Sequence, residues 1–235
     1  MALPTLMGYG RAIGKRETAM PGILRQSLFA LTALLVLALN GPTLADEFQP
    51  APLTAEEKTW VKKIETYLNG LKSVKARFAQ ASSTGAVAEG NVFLKKPGRM
   101  RFEYDPPIPV LMIADGWWLG YYDLELEQVS HTLLSSTPAD FLVDEKISFD
   151  KDIIITGFAH QGRFISLTLI ATGEGEEGKM TISFKTDPLK LHQWSVTDAQ
   201  GVVTDVTLVN PKFNLPLAKD LFVLNDIATI KQQKP

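Results

Sequence analysis

The sequence predicts a mainly β protein (α+β): one antiparallel sheet, curled strongly enough to approach a barrel, with helices laid over its concave face. Three features predict it. Beyond Leu71 the apolar residues recur with a period of two, the period of a half-buried strand. These runs are short, and turns carrying Gly, Asp, Asn or Pro separate them, as in sheets built from hairpins. No helical pattern of crossover length separates the strands, so the connections that parallel pairing needs are missing. Such a sheet has one wet and one dry face, and the dry one must be covered.

The N-terminus is set apart first. Arg11, Lys15, Arg16 and Arg25 precede an apolar run over residues 28–39, followed by Asn40-Gly41-Pro42 and Thr43-Leu44-Ala45. Basic, apolar and small-residue regions in that order make a cleavable secretion signal. The run of 12 apolar residues falls short of the roughly 20 that span a bilayer. Cleavage is expected after Ala45, giving a signal peptide over 1–45 and a single domain over 46–235; a start at Met20 would shorten the basic region. The mature chain then has 190 residues, enough for a sizeable core, and a net charge of −5. No basic stripe survives, so no nucleic acid is expected. Cysteine is absent, which excludes a thiol nucleophile, a thiolate metal site and a lipidated cysteine on this chain itself.

Residues 46–53 read as an irregular leader. Thr54-Ala55-Glu56-Glu57 has the form of a capping box. Behind it Trp60, Val61, Ile64, Leu68 and Leu71 fall at helical spacing, with a stop at Asn69-Gly70. Val74, Ala76 and Phe78 then alternate with polar neighbours, a Ser-Ser-Thr-Gly turn follows, and strands are expected over 92–96 and from Met100 through Phe102 to Tyr104. Asp105-Pro106-Pro107 breaks that run. Residues 110–114 and 117–122 flank an Asp115-Gly116 turn as a hairpin, and 127–131 follow as a strand. Residues 133–144, with Pro138 in a first helical turn ahead of Phe141-Leu142, suggest a short helix. Strands resume over 153–156, 164–170, 180–185, 192–197 and 203–208, with an acidic loop at 173–178; residues 217–226 suggest a last turn and an edge strand.

The chemistry-bearing residues form no constellation. His131, His160 and His192 are isolated from one another and from metal-ligand spacings. There is no nucleophile elbow, phosphate loop or dinucleotide fingerprint. Glu125 and Glu127 sit two apart, as solvated strand positions commonly do. Neither an enzyme nor a cofactor is expected. The early strands instead crowd Phe93, Met100, Phe102, Tyr104, Met112, Trp117, Trp118, Tyr121 and Tyr122 together, which fits an ordinary core or the lining of a groove. Alternation puts Val92, Leu94, Met100, Phe102 and Tyr104 on one face.

The stretch from Glu89 through Lys95-Lys96-Pro97-Gly98-Arg99 to Tyr104, then Pro106-Pro107, Ala114-Asp115-Gly116, Tyr122-Asp123 and Glu127-Gln128-Val129, resembles the LolA family of periplasmic lipoprotein carriers. Thr137-Pro138 ahead of Phe141-Leu142 matches the place of that family's lid helix. The resemblance implies an unclosed antiparallel β-barrel of about eleven strands, with helices as a lid over an apolar cavity. It implies an acyl-chain cavity walled by Val92, Leu94, Met100, Phe102, Tyr104 and Met112, under a lid bearing Trp60, Ile64, Leu68, Leu134, Phe141 and Leu142. It further implies lipoproteins as cargo, an inner-membrane ABC-type complex that releases them, an outer-membrane acceptor where one exists, and a carrier acting as a monomer in the periplasm. Two positions depart from the family pattern. Lys96 stands where an arginine commonly ties barrel to lid, a point charge in place of a planar fork, and Met100 replaces a large aromatic with a softer wall. Competing readings are a lipid-binding envelope-stress sensor domain resembling RseB, a carrier of free lipid, and an enzyme of periplasmic glycan or lipid metabolism.

Overall fold

Thr54 starts the first helix with a reciprocal cap. Its hydroxyl accepts from the Glu57 N–H at 3.3 Å, and the Glu57 carboxylate accepts from the Thr54 N–H at 2.7 Å. The Thr54 backbone bond, aided by its hydroxyl, holds the Glu57 carboxyl below the ordinary glutamate value. Helix α1 (Ala55–Gly70) buries Ile64 and Leu68, the inner edge of the stripe expected from the spacing. The computed structural model describes residues 49–149, 153–171 and 179–233. The expected signal segment and the acidic loop at 173–178 lie outside the described residues.

Eleven strands follow: β1 (Ser73–Ser82), β2 (Val87–Lys95), β3 (Arg99–Tyr104), β4 (Val110–Asp115), β5 (Trp118–Asp123), β6 (Gln128–Leu133), β7 (Ile153–Gln161), β8 (Phe164–Ala171), β9 (Lys179–Thr186), β10 (Leu189–Thr197) and β11 (Val203–Phe213). A 3-10 turn (Leu134–Ser136) and α2 (Asp140–Val143) lie between β6 and β7; a second 3-10 turn (Asp220–Phe222) and α3 (Ile227–Gln233) end the chain. All pairings are antiparallel, in the order β6-β5-β4-β3-β2-β1-β11-β10-β9-β8-β7. Two meanders are thus joined by the β1–β11 pair, and the sheet stays unclosed with β6 and β7 as its edges.

The curvature can be read from one contact. Phe102 on β3 and Trp194 on β10 are four strands apart, about 19 Å along a flat sheet. Their ring centroids are 6.3 Å apart, so the inner faces of the two halves meet. Phe78 lies between them, with its ring centroid 5.3 Å from Phe102 and 5.2 Å from Tyr104. Gly90 makes room: a Cβ there would stand 2.0 Å from the Glu103 carbonyl oxygen and 2.7 Å from the Phe78 ring.

Three expectations need correction. Residues 217–226 form no edge strand: both flanks of β11 are already paired, with β1 and β10, so no ladder is open there. Pro138 precedes α2 instead of opening it, since Ala139 is the capping residue. The strand at 92–96 begins earlier, at Val87, where Gly90 and Asn91 interrupt the apolar alternation.

The chain after β11 instead runs as a strap across the outer face. The Asn214 N–H donates to the Ser73 carbonyl at 2.9 Å, and the Lys95 ammonium donates to the Leu217 carbonyl at 2.8 Å. Arg101, buried and paired with Glu103 at 2.6 Å, donates to the Leu221 carbonyl at 3.2 Å. The Tyr122 hydroxyl donates to the Asn225 carbonyl at 2.9 Å. Leu224, Ile227 and Ile230 then cover Leu111, Ile113 and Tyr122 in a second, smaller core. Asp226 begins α3, accepting from the Thr229 N–H at 2.8 Å.

Asn69, in the last turn of α1, brackets Ile147. Its Nδ2 donates to the Ile147 carbonyl and its Oδ1 accepts from the Ile147 N–H, both at 2.9 Å. Asn69→Ala leaves both groups of a buried residue unpaired, and should destabilise the protein by about 2 kcal/mol in urea unfolding while speeding hydrogen exchange at the Ile147 amide. Gly90→Ala overpacks the Phe78 site and should lower the urea midpoint by an amount equivalent to about 2 kcal/mol or more, with little change in slope.

Candidate functional site

The pairing register gathers the apolar residues on one face. Val74, Ala76 and Phe78 of β1 lie opposite Leu94, Val92 and Gly90 of β2. Leu94 and Val92 lie opposite Met100 and Phe102 of β3, and Phe102 lies opposite Met112 of β4. On the other half, Phe78 meets Leu208, Trp194 meets Val206 and Ile182, and Ile182 meets Leu167. These side chains belong to one continuous buried cluster that reaches from β5 to β7.

All six residues expected to line a cavity lie on this face. Val92, Leu94, Met100 and Phe102 are buried within the cluster, while Tyr104 and Met112 pack against it half-buried. The Tyr104 hydroxyl donates to Gln80 Oε1 at 2.9 Å; its own pKa is raised by burial, then by the nearby Tyr121. The residues expected in a lid pack on the same cluster. Ile64 and Leu68 come from α1, Leu134 from the 3-10 turn and Leu142 from α2, all buried; Trp60 and Phe141 are half-buried against it. Trp60 meets His160 edge-on at 5.9 Å, and Phe141 stacks on Phe149 at 6.2 Å.

The position of this cover follows from topology. The link between β6 and β7 must travel from one sheet edge to the other, and it does so over the dry face, adding Val143, Ile147 and Phe149 to the cluster. Helix α1 precedes β1, a central strand, and so lies over the middle. The β2–β3 turn fastens both pieces. Lys96 Nζ donates to the Leu68 carbonyl in the last turn of α1 at 3.1 Å, where the helix dipole favours a cation. Burial pushes the Lys96 pKa below the ordinary lysine value, and Asp144 partly opposes this. Two residues on, the Gly98 N–H donates to the Val143 carbonyl at the end of α2 at 2.8 Å.

Side chains of α1 and of the β6–β7 link pack into the cluster on the inner face, and open clefts lie at its margins. One of about 690 Å³ runs between residues 50–53, the flank of α1 and the start of β7, floored by Val61, Phe149, Ile153 and Ile155. Another of about 600 Å³ lies at the end of α1, beside Lys72, Lys95 and Lys96.

Contact with an apolar face of this kind scales with area and is non-directional. The histidines lie apart from one another: His160 meets Trp60 edge-on, His131 meets Tyr122 edge-on and His192 stacks on Phe164. Among the described residues no group of three or more His, Cys, Asp or Glu side chains is placed to hold a metal ion.

Sequence reading missed several contributors. Phe78 was legible as a strand position, but its central place depends on Gly90, three strands of register and the curl. Trp194 reaches Phe102 only through that curl. Asn69 reads as a helix stop, and nothing local marks its partner at Ile147, 78 positions away.

The family model described as "Outer membrane lipoprotein carrier protein LolA" matches residues 69–225, from the last turn of α1 through β11 and most of the strap. An uncharacterized protein of Rickettsia prowazekii is 27% identical over 150 residues, covering 64% of this chain and 70% of that one. An outer-membrane lipoprotein carrier protein of Legionella pneumophila (strain Lens) is 28% identical over 178 residues, covering 72% and 86%. A solved LolA superfamily protein from Nitrosomonas europaea aligns with a TM-score of 0.39 at 12% identity, covering 69% of this chain and 97% of that one. The matched model takes in all eleven strands and the apolar face they share, and the chain belongs to the LolA family of outer-membrane lipoprotein carriers, which are not enzymes.

Proposed function

We propose that this chain is exported to the periplasm and carries lipoproteins from the inner to the outer membrane by sheltering their acyl chains against the inner face. Cargo is released to it by an inner-membrane ABC-type complex and passed to an outer-membrane acceptor where one exists, the carrier acting as a monomer. The observation that carries the reading is a continuous apolar face under covering segments that lie apart from the sheet's own ladder.

Each buried methylene is worth about 0.8 kcal/mol, so a ~14-carbon chain left in water costs on the order of 11 kcal/mol. A carrier must offset most of that and still let go. Here Val92, Leu94, Met100, Phe102, Tyr104 and Met112 wall the site, and Ile64, Leu68, Leu134 and Leu142, flanked by Trp60 and Phe141, fill it in the empty state. Entry of an acyl chain then exchanges one apolar contact for another and wets no void. Met100 and Met112 give the wall the adaptability that chains of different length require.

Lys96 is the latch in this reading. Its single ammonium-to-carbonyl bond replaces an arginine fork, so closure rests on one directional contact that a moving helix can break. Lys96→Leu removes that bond, and lipoprotein release to an acceptor should speed up by about tenfold; transfer at an unchanged rate would take Lys96 out of the latch. Phe102→Glu places a carboxylate on the inner face. The folded variant should lose co-purifying lipoprotein, read by mass spectrometry of the exported protein after gentle purification. Retention of cargo by that variant, or recovery of free lipid alone from the unsubstituted protein, counts against lipoprotein carriage.

A further inference from the structure

We propose that the end of the sheet where the β2–β3 and β4–β5 turns meet is a docking surface for an anionic lipid bilayer. This surface is separate from the apolar inner face and goes beyond the cargo reading.

Two observations converge there. The first is apolar. Trp117, in the β4–β5 turn, is 79% exposed; Trp118, which opens β5, is 46% exposed and Leu133, its cross-strand partner on β6, is 48% exposed. Among the described residues ten large apolar side chains are exposed, and two of them are these adjacent indoles at a turn, which need an account. They project from a hairpin end. An indole combines an apolar ring with one N–H donor, the combination that settles at the headgroup level of a bilayer.

The second observation is charge. The register sets Lys95, Arg99 and Asp115 side by side across β2, β3 and β4, in the last rung before the turns. The cleft of about 600 Å³ at the same end brings Lys72, Lys95 and Lys96 together around Leu71 and Leu215, with Glu145 on its rim. Lys72, Lys95, Lys96 and Arg99 stand at this end with Asp115, Asp144 and Glu145, one cation in excess on a chain whose residues 46–235 carry a net charge of −5; Lys95 and Lys96 are bonded there to the neutral Leu217 and Leu68 carbonyls, which leaves Lys72 and Arg99 as the outward cations. That asymmetry turns this end toward a negative surface.

The presentation is rigid. Asp115 Oδ1 accepts from both the Trp117 and the Trp118 N–H, at 2.9 and 3.0 Å, so the aspartate holds the turn that displays the indoles. The two turns are in contact: a Cβ on Gly98 would lie 2.7 Å from the Gly116 Cα. The Trp117 carbonyl in turn accepts from the Leu134 N–H at 2.9 Å. The cationic turn, the tryptophan turn and the start of the β6–β7 link thus form one connected end, which meets a bilayer as a unit. A projecting pair of indoles flanked by cations suits a fluid anionic surface, whereas a protein partner would need a matched pocket.

The test uses exported protein and two vesicle preparations, phosphatidylethanolamine with phosphatidylglycerol, and phosphatidylcholine alone. Intact protein should co-sediment with the first and much less with the second, and brominated acyl chains should quench its tryptophan emission. Trp117→Ser should weaken co-sedimentation by about tenfold and remove most of the quenching. Lys72→Glu should weaken binding only to the phosphatidylglycerol vesicles. Trp117→Ser should keep its lipoprotein cargo, and Phe102→Glu should keep its vesicle binding, so this inference and the cargo reading fail separately. Absence of co-sedimentation by the intact protein, or equal binding by Trp117→Ser, overturns the proposal; so does capture of a protein partner through Trp117 without affinity for vesicles.

Discussion

An eleven-stranded antiparallel sheet that curls without closing leaves a water-averse face that its own hydrogen bonds cannot seal. Alternation along every strand sends Val92, Phe102, Trp194 and Leu167 to the same side, and the curl brings them together, but β6 and β7 do not pair. Something outside the ladder has to exclude water from that side. In this chain the excluding pieces are α1 and the β6–β7 link, and almost everything else about the site follows from where they are fastened.

The fastenings are few and the covered area is large. Non-directional burial of Ile64, Leu68, Leu134, Leu142 and Val143 does most of the holding, while Asn69, Lys96 and Gly98 supply a handful of oriented bonds. Hydrophobic contact can be traded for similar contact at little net cost, because it does not depend on the identity of the partner. The oriented bonds fix where α1 and the β6–β7 link sit on the face. Lys96, whose pKa burial lowers, is held at the end of α1 by its bond to the Leu68 carbonyl.

Much of this was legible in the sequence because the physics involved is local. The capping box at Thr54 is four residues long, and the alternation from Met100 to Tyr104 is a strand seen on its own. The choice of face was legible for the same reason, and all six expected wall residues fall on it. What stayed hidden depends on distant partners. Gly90 reads as an interruption in a strand until Phe78 is placed opposite it. Residues 217–226 carry apolar character that suggests a strand, yet their partners are the outer faces of β2 to β5, to which no nearby residue points. Helix α3 has a local start signal at Asp226, but it is too short for a periodic stripe to declare itself.

The strap has its own bearing on how the molecule behaves. By crossing the outer side of five strands and seating Ile230 over Leu111, Ile113 and Tyr122, it turns what would be a plate greasy on both surfaces into one with a single adhesive side. A shortened chain ending before Leu224 would bare the reverse of the plate while leaving the front intact. Its first symptom would be self-association through the back, arising before any defect in what the front can hold.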